Sequence, residues 1–240
     1  MRRLQYEVLD STNAEALRQA RAGEPGPLWI TAVSQTAGRG RRGRDWVSTA
    51  GNLHATLLLT RPSSMECFPQ LSFVAALATH DAVREAALAT QLTLKWPNDL
   101  LLAGAKVAGI LLEAEGTAVA IGIGVNCASH PTAAEYHATD LRGTGISTHA
   151  LLERLATTMS RRLRQWMKGR GFAKVRADWL ERASGLGRPM RVRIPGAELS
   201  GRFESLDAAG GLILRLASGE VRTVTAGDVM LAPAPEAWAS

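Results

Sequence analysis

Cysteine is scarce: only Cys67 and Cys127 occur in 240 residues. Two thiols cannot build a disulfide framework or a cysteine-rich metal cluster, and so low a count fits a reducing, cytoplasmic setting. Aromatics are also few. A basic module that binds single-stranded nucleic acid needs exposed aromatics interleaved with cations, and two tyrosines and four phenylalanines are a poor supply. No apolar run reaches the roughly 18 residues of a membrane-spanning helix. Met1-Arg2-Arg3-Leu4 carries charge with no apolar stretch behind it, which excludes a signal peptide. His54, His80, His130, His137 and His149 lack metal-site spacing. What remains is a globular chain, 46% hydrophobic, with a net charge of +6. The positives are scattered outside one loop, so anionic small molecules such as nucleotides explain the charge as well as nucleic acid does.

Hydrophobic periodicity divides the chain into alternating elements. Thr12-Asn13-Ala14-Glu15 reads as a capping box that starts a helix running to about Arg21. Strands are predicted at Trp29–Gln35, Leu53–Thr60, Leu92–Trp96 and Ala118–Val125, and a hairpin joins Leu100–Leu102 to Lys106–Leu112 through Ala103-Gly104-Ala105. Helices are predicted at Gln70–Leu88, Thr148–Met167 and Phe172–Ala183, with a polar loop over 127–147. The pattern changes at Ser184-Gly185-Leu186-Gly187-Arg188-Pro189. Beyond it come short strands at Met190–Ile194, Leu199–Leu206, Leu212–Leu216, Val221–Thr225 and Val229–Leu231, with a turn at Asp207–Gly211. Such spacing points to a small β-barrel. The Ala/Pro-rich end, Pro233–Ser240, reads as frayed.

The most informative stretch is Gly38-Arg39-Gly40-Arg41-Arg42-Gly43-Arg44, followed by Trp46. Glycine lets a backbone approach a ligand closely, and arginine offers a fixed fork of donors to phosphate or carboxylate. The loop lies between two core strands, a place for a ligand rather than for a tail. Lys95-Trp96-Pro97-Asn98-Asp99 supplies a cation, an amide and a carboxylate around a turn. Lys106-Val107-Ala108-Gly109 opens a strand with a lysine followed by small residues. Gly122-Ile123-Gly124-Val125-Asn126 puts two glycines in a core strand, with an asparagine at its end. Ser11-Thr12-Asn13 adds hydroxyls and an amide. Singly, each also reads as ordinary turn, cap or sheet chemistry.

In this order and at these spacings the motifs resemble the biotin protein ligases, also called biotin–[acetyl-CoA carboxylase] ligases. The resemblance spans about Gln5 to Leu231 and begins directly at the catalytic domain. It includes no winged helix-turn-helix, so DNA binding is not implied. The implied fold is α+β: a class II aminoacyl-tRNA synthetase-like catalytic domain of mixed sheet and flanking helices over 1–185, then a small SH3-like barrel over 186–240. The implied activity has two steps. Biotin carboxylate attacks the α-phosphorus of ATP, giving biotinyl-5′-adenylate and pyrophosphate. A lysine of a biotin carboxyl carrier protein then attacks the mixed anhydride, releasing AMP.

By that resemblance, Lys106 and Arg41 serve catalysis. Ser11, Thr12, Asn13, Gln35, Gly38, Arg39, Gly40, Arg41 and Lys106 surround biotin. Arg41, Arg42, Trp46, Lys95, Asn98, Asp99 and Asn126 bind ATP, with Lys95, Asn98 and Asp99 at the phosphates and their Mg²⁺. No metal centre of the protein's own is implied. Arg44 and segment 128–147 receive no role. A lipoate ligase or octanoyltransferase shares this fold, but the glycine–arginine loop and the Lys-Trp-Pro-Asn-Asp motif favour biotin. A homodimer is possible, since some family members pair through sheet edges and others are monomers; no membrane partner is implied.

Overall fold

A computed structural model describes residues 2–87, 91–132 and 136–231. Its larger sheet takes strands β1 (Arg2–Leu9), β2 (Leu28–Gln35), β3 (Leu53–Thr60), β4 (Leu92–Lys95), β5 (Asp99–Leu102), β6 (Ala105–Glu115) and β7 (Ala118–Val125) in the order β1-β2-β3-β7-β6-β5-β4. β1 and β2 are parallel and every other pair is antiparallel, so the sheet is mixed.

Period-two alternation assigns side chains to the two faces. On β7, Val119, Ile121, Ile123 and Val125 enter the main core. There they meet α2 (Gln70–Ala87), α3 (Thr148–Trp166) and α4 (Phe172–Leu180). The other face of β7 is all small: Ala118, Ala120, Gly122 and Gly124. Ala118 and Ala120 are covered by Ala16 of α1 (Thr12–Arg21) in a second cluster with Leu28, Ile30 and Leu58. Gly122 and Gly124 lie past that cover and floor the cavity described below.

The helices on the main core are tied by buried charge. Arg162 of α3 donates to Asp81 of α2 at 2.8 Å and to Asp178 of α4 at 2.6 Å. Burial pushes the Asp81 carboxyl up, but hydrogen bonds from His80, Arg162 and Arg161 outweigh it and hold its pKa at about 2.

The smaller sheet is antiparallel, in the order β11-β10-β9-β8-β12, from β8 (Pro189–Ile194), β9 (Ala197–Leu206), β10 (Leu212–Leu216), β11 (Val221–Val224) and β12 (Asp228–Leu231). Asp207 makes the β9–β10 turn by accepting from the Ala209 and Gly211 N–H groups at 2.8 and 2.7 Å. Its apolar face, including Val192, Phe203 and Leu214, belongs to the same buried cluster as Leu94, Trp96, Phe172 and Trp179. The segment expected to be a boundary is pinned: the Ser184 N–H donates to Leu94 O at 2.7 Å, and Trp96 Nε1 donates to Gly210 O at 3.0 Å. The two sheets therefore share one core.

Most predicted elements are present within a residue or two of their expected ends. Three points differ. Strand β1 was not expected; it is half-exposed along its length, so its apolar signal is weak. The cap of α1 is Ser11, whose hydroxyl accepts from Ala14 N–H, and not Thr12. Glu15 makes no capping box because its carboxylate is taken by Tyr6, Arg18 and Gln19. Two element ends also differ: strand β6 runs three residues beyond Leu112, to Glu115, and α4 stops at Leu180, three residues short of Ala183. The segment Pro233–Ser240 lies outside the described residues. Among the described residues no helix is long and apolar enough to cross a membrane.

Candidate functional site

A cavity of about 610 Å³ opens between the glycine floor of β6 and β7, the loop after β2, and the rim of β8 and β12. That volume suits a cofactor-sized ligand. The floor is glycine because Asn13 and Trp46 lie directly on it. A Cβ on Gly122 would lie 2.4 Å from Asn13 Oδ1, and one on Gly124 would lie 2.5 Å from Trp46 Cε2. Trp46 thus lies flat against the sheet and forms an aromatic wall, its Nε1 buried without a partner.

One end of the cavity is a preformed polar network. The N-terminus of α1 brings in Ser11, Thr12 and Asn13, all buried. Thr12 N–H and Oγ1 both donate to Gln35 Oε1, at 2.8 and 3.0 Å, while Gln35 Nε2 donates to Ser48 Oγ at 2.8 Å. The Thr56 hydroxyl lies 2.8 Å from Thr12 Oγ1 and 2.7 Å from Asn13 Oδ1. Asn13 Nδ2 donates to Leu111 O and Glu113 Oε2. A network with this many fixed donors and acceptors orients a polar ligand head without rearranging.

The other end is cationic. Lys106, at the start of β6, places Nζ 2.7 Å from Asp99 Oδ1. That oxygen has no well-aligned hydrogen bond, so the contact is an ion pair. Two rings flank the ammonium, Tyr136 at 5.0 Å and Trp46 at 5.6 Å from their centroids. Lys95, at the end of β4, makes no ion pair among the described residues; burial pushes its pKa below the usual lysine value, partly offset by Asp99. Arg41 Nη1 reaches Asn98 Oδ1 and Gly227 O, each at 3.4 Å. Burial lowers its pKa, the charge of Asp228 raises it, and so basic a group stays charged. Asn98 also donates to Ile110 O at 2.6 Å, which fixes its side chain against β6.

The glycine–arginine loop folds back on itself. Trp46 N–H donates to Gly38 O at 3.0 Å, and Gly40 N–H donates to Arg44 O at 2.6 Å. Arg42 and Gly43 turn it through left-handed backbone, with φ of 57° and 73°. Arg39 pairs with Glu113 at 3.2 Å, and Arg42 and Arg44 both reach Asp228.

Ser11, Thr12, Asn13, Gln35, Arg39, Gly40, Arg41, Trp46, Lys95, Asn98, Asp99 and Lys106 therefore line one cavity. Three expected site residues lie off it. Gly38 is buried at the loop base, where a Cβ would meet Ser48 Oγ at 2.4 Å. Arg42 turns toward Asp228. Asn126 is buried and spends its amide on Thr139 O at 3.0 Å, while its backbone pairs with Val107 and Leu141. In this structure it anchors the segment after β7 rather than facing the cavity. Sequence reasoning missed Tyr136, Asp228, Arg193 and a cavity role for His54, all on the lining. Only Tyr136 carried a signal, as one of two tyrosines in a polar loop.

The comparisons agree with this geometry. The profile of the Biotin/lipoate A/B protein ligase family matches residues 6–127, and that of the Biotin protein ligase C terminal domain matches 185–231. The biotin–[acetyl-CoA-carboxylase] ligase of Paracoccus denitrificans is 47% identical over 88% of this chain and 92% of its own length. The solved biotin protein ligase of Aquifex aeolicus, in complex with biotin and ATP, superposes with a TM-score of 0.81 at 26% identity. That match covers 97% of this chain and 99% of that one. The Leishmania major biotin protein ligase in complex with biotinyl-5-AMP gives 0.69 at 27% identity, over 94% and 99%. An α+β mixed sheet, a glycine-floored cavity with a cationic end, and relatives of this identity over nearly the whole chain place it in the Biotin/lipoate A/B protein ligase family.

Proposed function

We propose that this chain activates biotin with ATP as biotinyl-5′-adenylate and transfers the acyl group to a lysine of a biotin-accepting carrier domain. The observation that carries the reading is one cavity with a rigid polar network at one end and Lys106, Lys95 and Arg41 at the other. The ureido ring of biotin suits the Thr12–Gln35–Thr56 end, and its apolar chain suits the aromatic wall that Trp46 forms over the glycine floor. The carboxylate then reaches the cations, where ATP presents its α-phosphate. Negative charge concentrates there in the transition state, so cations already in place should supply most of the rate enhancement. Positioning of two bound anions supplies the rest. Trp46 offers a stacking face for adenine.

Mg²⁺ fits this site as an ion carried in by phosphate. It binds through one or two carboxylates plus phosphate oxygens, and Asp99 is the carboxylate at the cationic end, held there by its ion pair with Lys106. Asp99 would hold the ion, which would offset phosphate charge. The chain's own residues bind, orient and shield the two substrates.

The carrier meets the cavity mouth beside the C-terminal sheet, whose profile match starts at residue 185, and that sheet serves acceptor recognition while sharing its core with the larger one. The free thiols of Cys67 and Cys127 support a cytoplasmic location. The test uses ATP labelled at the α-phosphate with biotin or with lipoate. A labelled biotinyl-adenylate, absent with lipoate, is the expected result; the reverse would make the chain a lipoate ligase.

A further inference from the structure

We propose that Asp228 is a positioning residue through which the C-terminal sheet holds the glycine–arginine loop over the cavity. The proposal rests on the ligase reading above.

Asp228 is the first residue of β12 and pairs in register with Arg193 of β8, at the rim of the smaller sheet. Its two carboxylate oxygens go to different arginines. Oδ1 accepts from Arg44 Nη2 at 2.8 Å, and Oδ2 accepts from Arg42 Nη1 at 3.1 Å. The neighbouring Gly227 carbonyl accepts from Arg41. Three loop arginines thus end on two adjacent residues of another sheet. Among the described residues no other acidic side chain of that sheet pairs with the loop: Glu198, Glu204 and Glu220 take Arg191, Arg215 and Arg222.

The seat for the carboxylate is rigid. Gly227 is buried against β8, where a Cβ would lie 2.8 Å from Val192 Cγ1, and Val229 is core. The loop is the soft partner. Glycine-rich backbone loses more entropy on ordering than other backbone, and few backbone hydrogen bonds close the loop internally. A lone exposed ion pair would contribute little. A carboxylate shared by two arginines is different, because it fixes the turn that aims Arg41 into the cavity. The biotin-head network of Thr12, Gln35 and Thr56 has no contact with Asp228. Releasing the tie should therefore loosen the hold on nucleotide, on adenylate and on the carboxylate end of biotin, while the ring end of biotin keeps its network.

The experiment compares Asp228→Ala, Asp228→Glu, the double variant Arg42→Ala/Arg44→Ala, and Glu204→Ala as a control in the same sheet. Hydrogen exchange over 38–46 is read in the ligand-free protein, followed by biotin affinity, the KM for ATP, and the rate at which biotinyl-adenylate leaves. Asp228→Ala should speed loop exchange, raise the KM for ATP and speed adenylate release by roughly tenfold, with a smaller loss of biotin affinity because the ring end keeps its network. Asp228→Glu should restore most of the loss, and Glu204→Ala should change nothing. If Asp228→Ala fails to fold, the double arginine variant decides, since it cuts the same tie from the loop side. Wild-type loop exchange and release in the variants would overturn the proposal. So would tighter ATP binding in Asp228→Ala, which would make the carboxylate a competitor of phosphate. Loop exchange is read without catalysis, so failure of the tie and failure of the ligase reading remain distinguishable.

Discussion

Lys106→Ala is the substitution whose effect the structure defines best. The Lys106 side chain is only 17% exposed, faces the Asp99 carboxylate, and lies between the rings of Tyr136 and Trp46. Truncation removes a cation held in place before substrate arrives and leaves Asp99 facing the phosphates without its counter-charge. Losing one preorganised donor at a developing charge costs about 3 kcal/mol, roughly a hundredfold in the rate of adenylate formation. The fold should survive, because the position is held by backbone: Lys106 N–H donates to His137 O at 2.8 Å, and its carbonyl accepts from Thr139 N–H at 2.9 Å. The assay is single-turnover formation of biotinyl-adenylate by rapid quench, with thermal unfolding in parallel. A rate within about threefold of wild type, less than 1 kcal/mol of barrier, would refute the role given to this cation. A large loss of stability would show that the ion pair serves folding instead.

Three further predictions follow from the packing. Gly124→Ala drives a methyl into Trp46, and overpacking of this kind costs about 1–3 kcal/mol. Trp46 fluorescence should change and ATP affinity fall, and an unchanged indole signal would mean that the ring is free to move aside. Asp81 is held at a pKa of about 2, below its unfolded value. Its contribution is therefore complete above about pH 4 and fades as pH falls toward 2; Asp81→Asn should cost about 2 kcal/mol near neutrality and flatten the acid limb of the stability profile. Ending the chain at Ala183 bares Leu94, Trp96 and Trp179, so cooperative unfolding should be lost, whereas a truncated chain that still binds biotin at wild-type affinity would show two independent cores.

The fold was legible where burial is two-sided. β3 and β7 are near-continuous apolar runs, and both were read to the residue. β1 was not, because an edge strand exposed along much of its length lacks that signal. Strand order was not legible either: β3 pairs with β7 across α2 and three strands, a contact that no local pattern encodes. In the site, the glycines and cations stood out because few other arrangements need them together. Asp228 and Glu113 did not, since an acidic residue in a strand has no mark until the arginine opposite it is known. Asn126 shows the converse, a motif residue whose side chain is absorbed in holding a loop.

The central claim is that this chain makes an activated biotin and passes it to one lysine. Its most direct measurement is mass spectrometry of a biotin-accepting carrier domain after incubation with the protein, Mg²⁺, ATP and biotin, with parallel reactions lacking ATP or containing lipoate. Biotin on a single carrier lysine, dependent on ATP and absent with lipoate, is the predicted result. An unmodified carrier in the presence of folded protein and all substrates, or a lipoylated one, would contradict the account.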